Sequence, residues 1–156
     1  MKKRLIFLSL IVVALVSFGC AKIREVKITD LSLKRFELLS TSAAIMEIQY
    51  NVDNPSGRTF ILSAADGMLK KNGLNFAQAT LMQADTVSAR GVTVGVIKFK
   101  IDVLDPLALL SMGLNLSKWD YKDLKVDARA TIKSPGRGKR VIKYKDIPVE
   151  NLAKRL

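Results

Sequence analysis

The chain of 156 residues contains no histidine and a single cysteine, Cys20. A lone cysteine cannot close an intramolecular disulfide, and without histidine a Cys/His nucleophile and a zinc site are excluded as well. The usual proton shuttle near neutral pH is also missing. The nine glycines are scattered singly, which excludes a glycine-rich phosphate-binding loop. We therefore expect a protein that is not an enzyme and has no metal or cofactor.

A Ser/Lys dyad and paired carboxylates are the remaining options for catalysis. Asp102 and Asp105 flank a predicted strand end, and Asp120, Asp123 and Asp127 lie near another. Helix capping explains the first pair, and exposed strand or turn positions explain the other three. The sequence therefore predicts no catalytic residues.

The amino terminus has the parts of an export signal. Lys2, Lys3 and Arg4 form a positive start, and an apolar run of twelve residues follows from Leu5 to Val16, interrupted only by a serine. A helix needs about 20 residues to cross the roughly 30 Å of a bilayer. The run is too short for a permanent span and is typical of a secretory signal.

The order of basic start, apolar run and Ser-Phe-Gly before Cys20 resembles a bacterial lipoprotein signal. The resemblance implies a cleaved signal over residues 1–19, acyl chains such as palmitate on Cys20, and a short tether over residues 20–22. Two or more acyl chains, at about 0.8 kcal/mol per buried CH₂ group, hold a protein durably at a membrane. Ala21 is not the acidic residue that retains some lipoproteins at the inner membrane, so we expect the outer membrane, facing the periplasm. An ordinary signal peptide or an uncleaved anchor is the alternative.

Charge favours an anionic partner. The first 19 residues hold three of the 26 basic residues and none of the 14 acidic ones, so the remainder carries +9. In an exported, membrane-tethered protein the nearest anionic surface is the phospholipid headgroups, and nucleic acid is not an expected partner. The alternative is that the lysines only keep the protein soluble. By length, residues 23–156 form one domain.

Most of this domain alternates apolar and polar residues with period two, which is typical of strands. Turn residues separate about seven such runs, and Asn72-Gly73 predicts a tight type I′ hairpin. In the valine-rich run the alternation shifts by one residue, which predicts a β-bulge near Gly95 to Ile97. We expect an all-β, immunoglobulin- or fibronectin III-like antiparallel sandwich of about seven strands.

The segment from Pro106 to Leu114 predicts a short helix. Asp105 can cap it and Pro106 can occupy its first position. Leu107, Leu110 and Leu114 share a face, and Gly113 can terminate the helix. We expect this helix to plug the open end of the sandwich. The alternative is a groove near residues 106–121 that accepts an acyl chain.

The order of these features resembles one family. A strand that ends in Val52-Asp53-Asn54-Pro55, the Asn72-Gly73 hairpin, a valine-rich strand and a late hairpin are similar to the LEA14-like, or water stress and hypersensitive response (WHy), β-sandwich. The resemblance covers roughly Ile23 to Val149. It implies an immunoglobulin- or fibronectin-like fold, no known enzymatic activity, and an association with desiccation or other stress.

The late hairpin is basic. The segment from Lys133 to Lys145 has six basic residues and no acidic one, and its tip is formed by Arg137, Lys139 and Arg140. At about 1 kcal/mol per basic residue near an anionic surface, such a tip would add to lipid anchoring. We expect these three residues to contact anionic headgroups. A merely solvated loop is the alternative.

Together these features predict a non-enzymatic, membrane-anchored envelope lipoprotein that binds or protects envelope components, in connection with stress as the resemblance implies. One alternative is a carrier of lipids or other hydrophobic molecules that uses the sandwich end near residues 106–121. Another is a structural subunit of an envelope complex that uses an open strand edge. The sequence does not identify a protein partner.

Overall fold

Eight strands and one helix form the part of the chain that the computed structural model describes, residues 25–112, 120 and 122–149. The strands are β1 (Lys27–Leu38), β2 (Ala43–Asn54), β3 (Phe60–Lys71), β4 (Leu74–Leu81), β5 (Asp85–Val87), β6 (Gly91–Val103), β7 (Leu124–Ser134) and β8 (Gly138–Pro148). The helix α1 (Pro106–Met112) lies between β6 and β7. Seven strands are the alternating runs of the sequence, and β5 is additional because three residues are too few to show a period. The predicted signal over residues 1–19 and lipidation at Cys20 lie outside the described residues.

All strand pairs are antiparallel, in the order β1-β2-β6-β4-β3-β7-β8, with β5 beside β3. This sheet folds over on itself, because buried side chains of β2 and β6 share one apolar cluster with side chains of β3 and β7. β2 and β6 belong to the first layer, and β3 and β7 to the second. Ile48 of β2, Phe99 of β6 and Ala130 of β7 are completely buried in this cluster. The predicted antiparallel sandwich is thereby confirmed.

The hairpin between β3 and β4 has the predicted turn. Lys71 pairs with Leu74, so the loop contains only Asn72 and Gly73. Their φ angles are 50° and 79°, and positive φ at both central residues is the signature of a type I′ turn.

The predicted bulge near Gly95 to Ile97 is wrong. β6 pairs with β2 in unbroken register from Gly91 to Asp102. The odd-numbered residues of β6 therefore face the core along the whole strand, and Val92 and Val94 face solvent with 66% and 62% exposure. The apolar alternation shifts because an exposed valine stripe precedes a buried stripe on the opposite face.

Tyr50 explains this arrangement. It lies opposite Gly95, and a Cβ atom on Gly95 would approach the Tyr50 Oη to 2.5 Å. The Tyr50 hydroxyl donates a hydrogen bond of 2.7 Å to Asp85 Oδ2 of β5, which belongs to the other layer. Burial, followed by the hydrogen bond and the charge of Asp85, raises the pKa of Tyr50 far above its usual range, so the hydroxyl remains a donor.

The helix α1 begins as predicted. Asp105 Oδ1 accepts a hydrogen bond of 2.9 Å from the Ala108 N–H, and Pro106 occupies the first helical position. Leu104, the residue before Asp105, is also fixed in place, because its N–H donates a hydrogen bond of 2.9 Å to the Phe76 carbonyl. These bonds fix the helix at the end of the sandwich where β3 ends and β7 begins.

The side of α1 that packs inward is not the one that carries Leu107 and Leu110. Gly113 and Leu114, the predicted end of the helix, lie outside the described residues. The helix closes its end of the sandwich by packing three residues against a second apolar cluster: Ala108, Leu109 and Met112. Leu107 and Leu110 are instead 78% and 63% exposed. Asp105 caps the helix and so fixes the residue at which it begins. The residues three, four and seven positions after Asp105 then lie on one side of the helix and face the cluster.

Gly95→Ala tests the space occupied by Tyr50. The added methyl group must displace a buried, hydrogen-bonded ring, and overpacking of this kind costs about 1–3 kcal/mol. We expect a lower melting temperature by calorimetry or circular dichroism. Gly91→Ala is the matched control on the same strand, because the nearest atom to its added Cβ is 4.0 Å away. Equal melting temperatures for the two variants would contradict this account.

Candidate functional site

One end of the sandwich collects several cationic turns, and we call it the basic end. It comprises the β2–β3 turn (residues 55–59), the loop before β6 (residues 88–90) and the β7–β8 hairpin tip (residues 135–140). The Ser134 Oγ donates a 3.2 Å hydrogen bond to the Thr59 carbonyl, which brings the hairpin tip beside the turn. β1 also begins here, since Lys27 pairs with Asp53 near the end of β2.

The hairpin tip presents the three residues predicted from the sequence. Gly136 and Gly138 have φ angles of 74° and 85°, a left-handed conformation that favours glycine. They allow a short reversal in which the Arg137 N–H donates to the Ser134 carbonyl at 3.0 Å. The tip therefore carries three exposed basic residues: Arg137, Lys139 and Arg140.

Two further arginines at the basic end were missed in the sequence. Arg58 lies in the β2–β3 turn, and Arg90 precedes β6 with a φ angle of 53°. The Arg90 guanidinium packs over Gly57, where an added Cβ would lie 3.3 Å from its Nη2 atom. Arg58 and Arg90 are each the only basic residue in their segment of sequence. The cluster is visible only in the fold, which brings both segments close to the hairpin tip.

Few charges at the basic end are neutralised. In the described ranges no ion pair is formed by Arg58, Arg90, Arg137 or Lys139. On the face formed by β3, β7 and β8, by contrast, a cation is neutralised, because Lys70 forms ion pairs with both Asp127 and Asp146. The hydrogen bonds that the Lys70 ammonium donates to these two carboxylates, opposed by burial, raise the pKa of Lys70. The three segments of the basic end contain five basic residues and no acidic one, and the acids just before two of them in the chain, Asp53 and Asp85, are fewer, so the end retains a positive balance.

A buried asparagine holds the basic end together. Asn54 is fully buried, and its Nδ2 donates to the carbonyl oxygens of Arg58 and Ser88 at 2.8 and 2.9 Å. Its Oδ1 accepts from the Ser56 N–H at 3.1 Å and from the Ser56 Oγ at 2.6 Å. Both amide donors and the carbonyl oxygen are thus satisfied. Asn54 fixes the turn that carries Arg58 and ties it to the loop that carries Arg90.

Neither a spanning helix nor a metal cluster was found in the described segments. No helix there is long and apolar enough to cross a membrane. Over the same residues, no group of three or more acidic, cysteine or histidine side chains is placed to bind a metal ion.

Asn54→Ala tests the asparagine. It leaves two carbonyls and an N–H at a buried turn without their partner, and each unsatisfied buried group costs about 1–3 kcal/mol. We expect a clearly lower denaturant midpoint for the purified chain. The exposed Asn75 provides the matched control, Asn75→Ala, which should shift the midpoint little. Similar midpoints for both variants would show that the turn does not depend on Asn54.

Comparison with known proteins gives similarity in fold. No protein-family model and no curated protein matches the chain. A protein of Archaeoglobus fulgidus superposes with a TM-score of 0.50 over 76% of this chain and 91% of its own, at 14% identity. A late embryogenesis abundant protein aligns over 94% of this chain and 91% of its own, with 16% identity and a TM-score of 0.38. YcdA of Bacillus subtilis, described as a lipoprotein, aligns over 84% of this chain and 39% of its own, with 17% identity and a TM-score of 0.33. The chain therefore shares its sandwich fold with a solved protein across most of its length.

Proposed function

We propose that the protein is a non-enzymatic lipoprotein of the bacterial cell envelope. In this proposal acyl chains on Cys20 anchor it to the outer membrane, on the periplasmic side, and its basic end rests against anionic headgroups. The observation that carries the proposal is that β1 begins at the basic end, so the residues that follow Cys20 lead directly into it. The anchor would therefore join the fold at the end that carries the cationic turns.

The length of the tether supports this orientation. Val26 is already packed in the core, so at most residues 20–25 separate the acyl chains from the fold. Six residues span at most about 20 Å when fully extended. The opposite end, with α1, lies about 40 Å further away, because β1 has 12 residues at about 3.3 Å each. The basic end is therefore the end nearest to the anchor, and the α1 end is the furthest from it.

The two attachments differ in strength and purpose. Each acyl chain contributes about 0.8 kcal/mol per buried CH₂ group, whereas each basic residue near an anionic surface contributes about 1 kcal/mol in total. The acyl chains supply the anchoring, and the cations of the basic end orient the domain on the surface.

The proposed role in binding or protecting envelope components, and its link to stress, rest on the resemblance of the sequence to LEA14-like domains. A lipid carrier has less support. Beneath α1 the interior is occupied by three almost completely buried side chains: Phe76, Leu124 and Val149. An acyl chain at this end would have to displace them.

Lipidation is tested by intact-mass spectrometry of the chain extracted from bacterial membranes. We expect a polypeptide that begins at Cys20 and carries the additional mass of acyl chains. Cys20→Ala should give a chain without that mass, because the acylated sulfur is missing. A wild-type chain with an unmodified thiol would contradict the proposal.

Headgroup contact is tested with a chain that begins at Ala21, after circular dichroism has shown a strand-dominated spectrum. Binding to phosphatidylglycerol-containing vesicles should be measurable at low salt and should fall at about 0.5 M salt, where the Debye length is only a few ångströms. Replacing Arg137, Lys139 and Arg140 by glutamine should weaken low-salt binding at least about tenfold.

The control removes the same charge from the opposite end. Lys71, Lys122 and Lys125 lie at the α1 end, where β3 ends and β7 begins, and they form no ion pair in the described part of the chain. Replacing these three by glutamine should change vesicle binding much less. Equal losses from the two triple variants would reduce the interaction to diffuse attraction by net charge.

A further inference from the structure

Half of β6 is paired on one side only. β6 pairs with β2 along nearly its whole length, but β4 covers its other side only from Phe99 to Val103. On that side, the last backbone hydrogen bond is donated by the Met82 N–H to the Lys98 carbonyl at 2.9 Å. The chain then crosses to the other layer and pairs with β3 as β5. Across the described ranges, no strand pairs with residues 91–97 on this side, and we call them the β6 edge.

The β6 edge presents regularly spaced backbone groups. Because the Lys98 carbonyl points away from β2, the alternation of an antiparallel strand points the N–H and C=O groups of Val92, Val94 and Val96 the same way. The side chains of Val92 and Val94 are among the most exposed large apolar side chains of the described chain. Backbone groups and apolar side chains are therefore available together.

The β6 edge differs from the outer edges of the sheet. β1 is interrupted by two register irregularities and carries five charged residues: Lys27, Asp30, Lys34, Arg35 and Glu37. β8 carries five charged residues and ends in a proline: Lys139, Arg140, Lys143, Lys145, Asp146 and Pro148. Charges, bulges and proline are the devices that protect strand edges from further pairing. The β6 edge has no charge, no bulge and no proline over seven residues.

We propose that the β6 edge binds an extended segment of another envelope protein by strand addition. The segment has β-branched residues at alternate positions, which pack beside Val92 and Val94. It has acidic residues at its ends, which face Arg90 and Lys98, and Lys98 also pairs with Glu47 of β2 at 3.1 Å. Main-chain hydrogen bonds to the even-numbered residues supply the affinity. Only the choice of an envelope protein rests on the proposed function, since the edge exists whether or not Cys20 is acylated.

Charge argues against a second copy of the chain as the occupant. Antiparallel pairing of two β6 strands centred on Val94 would place Arg90 of each copy opposite Lys98 of the other. Each copy also carries a large positive charge, +12 for the whole chain. An acidic-ended segment is instead attracted by Arg90, which forms no ion pair in the described ranges, and by Lys98, which it would share with Glu47. A partner of opposite charge therefore fits this edge better than the chain itself.

The test measures binding of a labelled peptide to the full chain in nonionic detergent by fluorescence anisotropy. The peptide contains alternating valine and threonine with glutamate at both ends. We expect saturable binding, at least about tenfold weaker for Val94→Lys because a lysine on the edge opposes strand addition. Val141→Lys is the matched control, since Val141 is a 45% exposed valine on β8. Both side chains point to solvent, so both variants should keep the wild-type melting temperature.

Two altered peptides separate strand addition from nonspecific adhesion. One N-methyl group on the central valine removes a main-chain donor and should abolish binding, whereas lysine in place of the terminal glutamates should weaken it severalfold. Equal losses in Val94→Lys and Val141→Lys, or unchanged binding of the N-methylated peptide, would overturn the proposal.

Sedimentation velocity supplies a further check: a wild-type dimer that Val94→Lys dissociates would show that a second copy occupies the edge. Vesicle binding and acylation do not enter this measurement, so its failure is distinguishable from failure of the proposed function.

Discussion

The ring of Tyr50 needs the space above Gly95, and the orientation of the longest strand follows from this steric requirement. With glycine opposite the ring, β6 keeps an unbroken register with β2 and turns its odd-numbered residues inward. The hydroxyl then reaches Asp85 and connects β2 to the other layer. The same orientation leaves Val92 and Val94 in solvent beside the unpaired half of β6. The packing of the core and the exposure of these two valines therefore share one cause.

The two ends of the sandwich differ in chemistry. At one end α1 covers an apolar cluster and leaves two leucines exposed, while at the other three turns gather arginines and lysines around the fully buried Asn54. Because β1 begins at the cationic end, a lipid anchor at Cys20 would place these charges, and the nearby β6 edge, next to the membrane. Orientation on the membrane and access to a partner strand would then be linked by chain direction alone.

Local chemistry predicted much of the fold. Asn72-Gly73 has the predicted positive φ angles, Asp105 caps α1, and period-two alternation located seven strands. These features depend on a few neighbouring residues, whose backbone preferences and hydrogen bonds are nearly independent of distant contacts. The three tip residues of the basic end were found for the same reason, because they lie together in the sequence.

The sequence alone thus determined the fold class, the hairpin positions and the cationic tip, because local patterns and turn chemistry specify them. Only the tertiary structure decided which side of β6 and of α1 faces inward, because Tyr50 and the capped start of the helix set those orientations through packing. It also brought Arg58 and Arg90 to the hairpin tip and left half of β6 unpaired. Both results follow from how distant strands pair, and alternation within one strand carries no information about its neighbours.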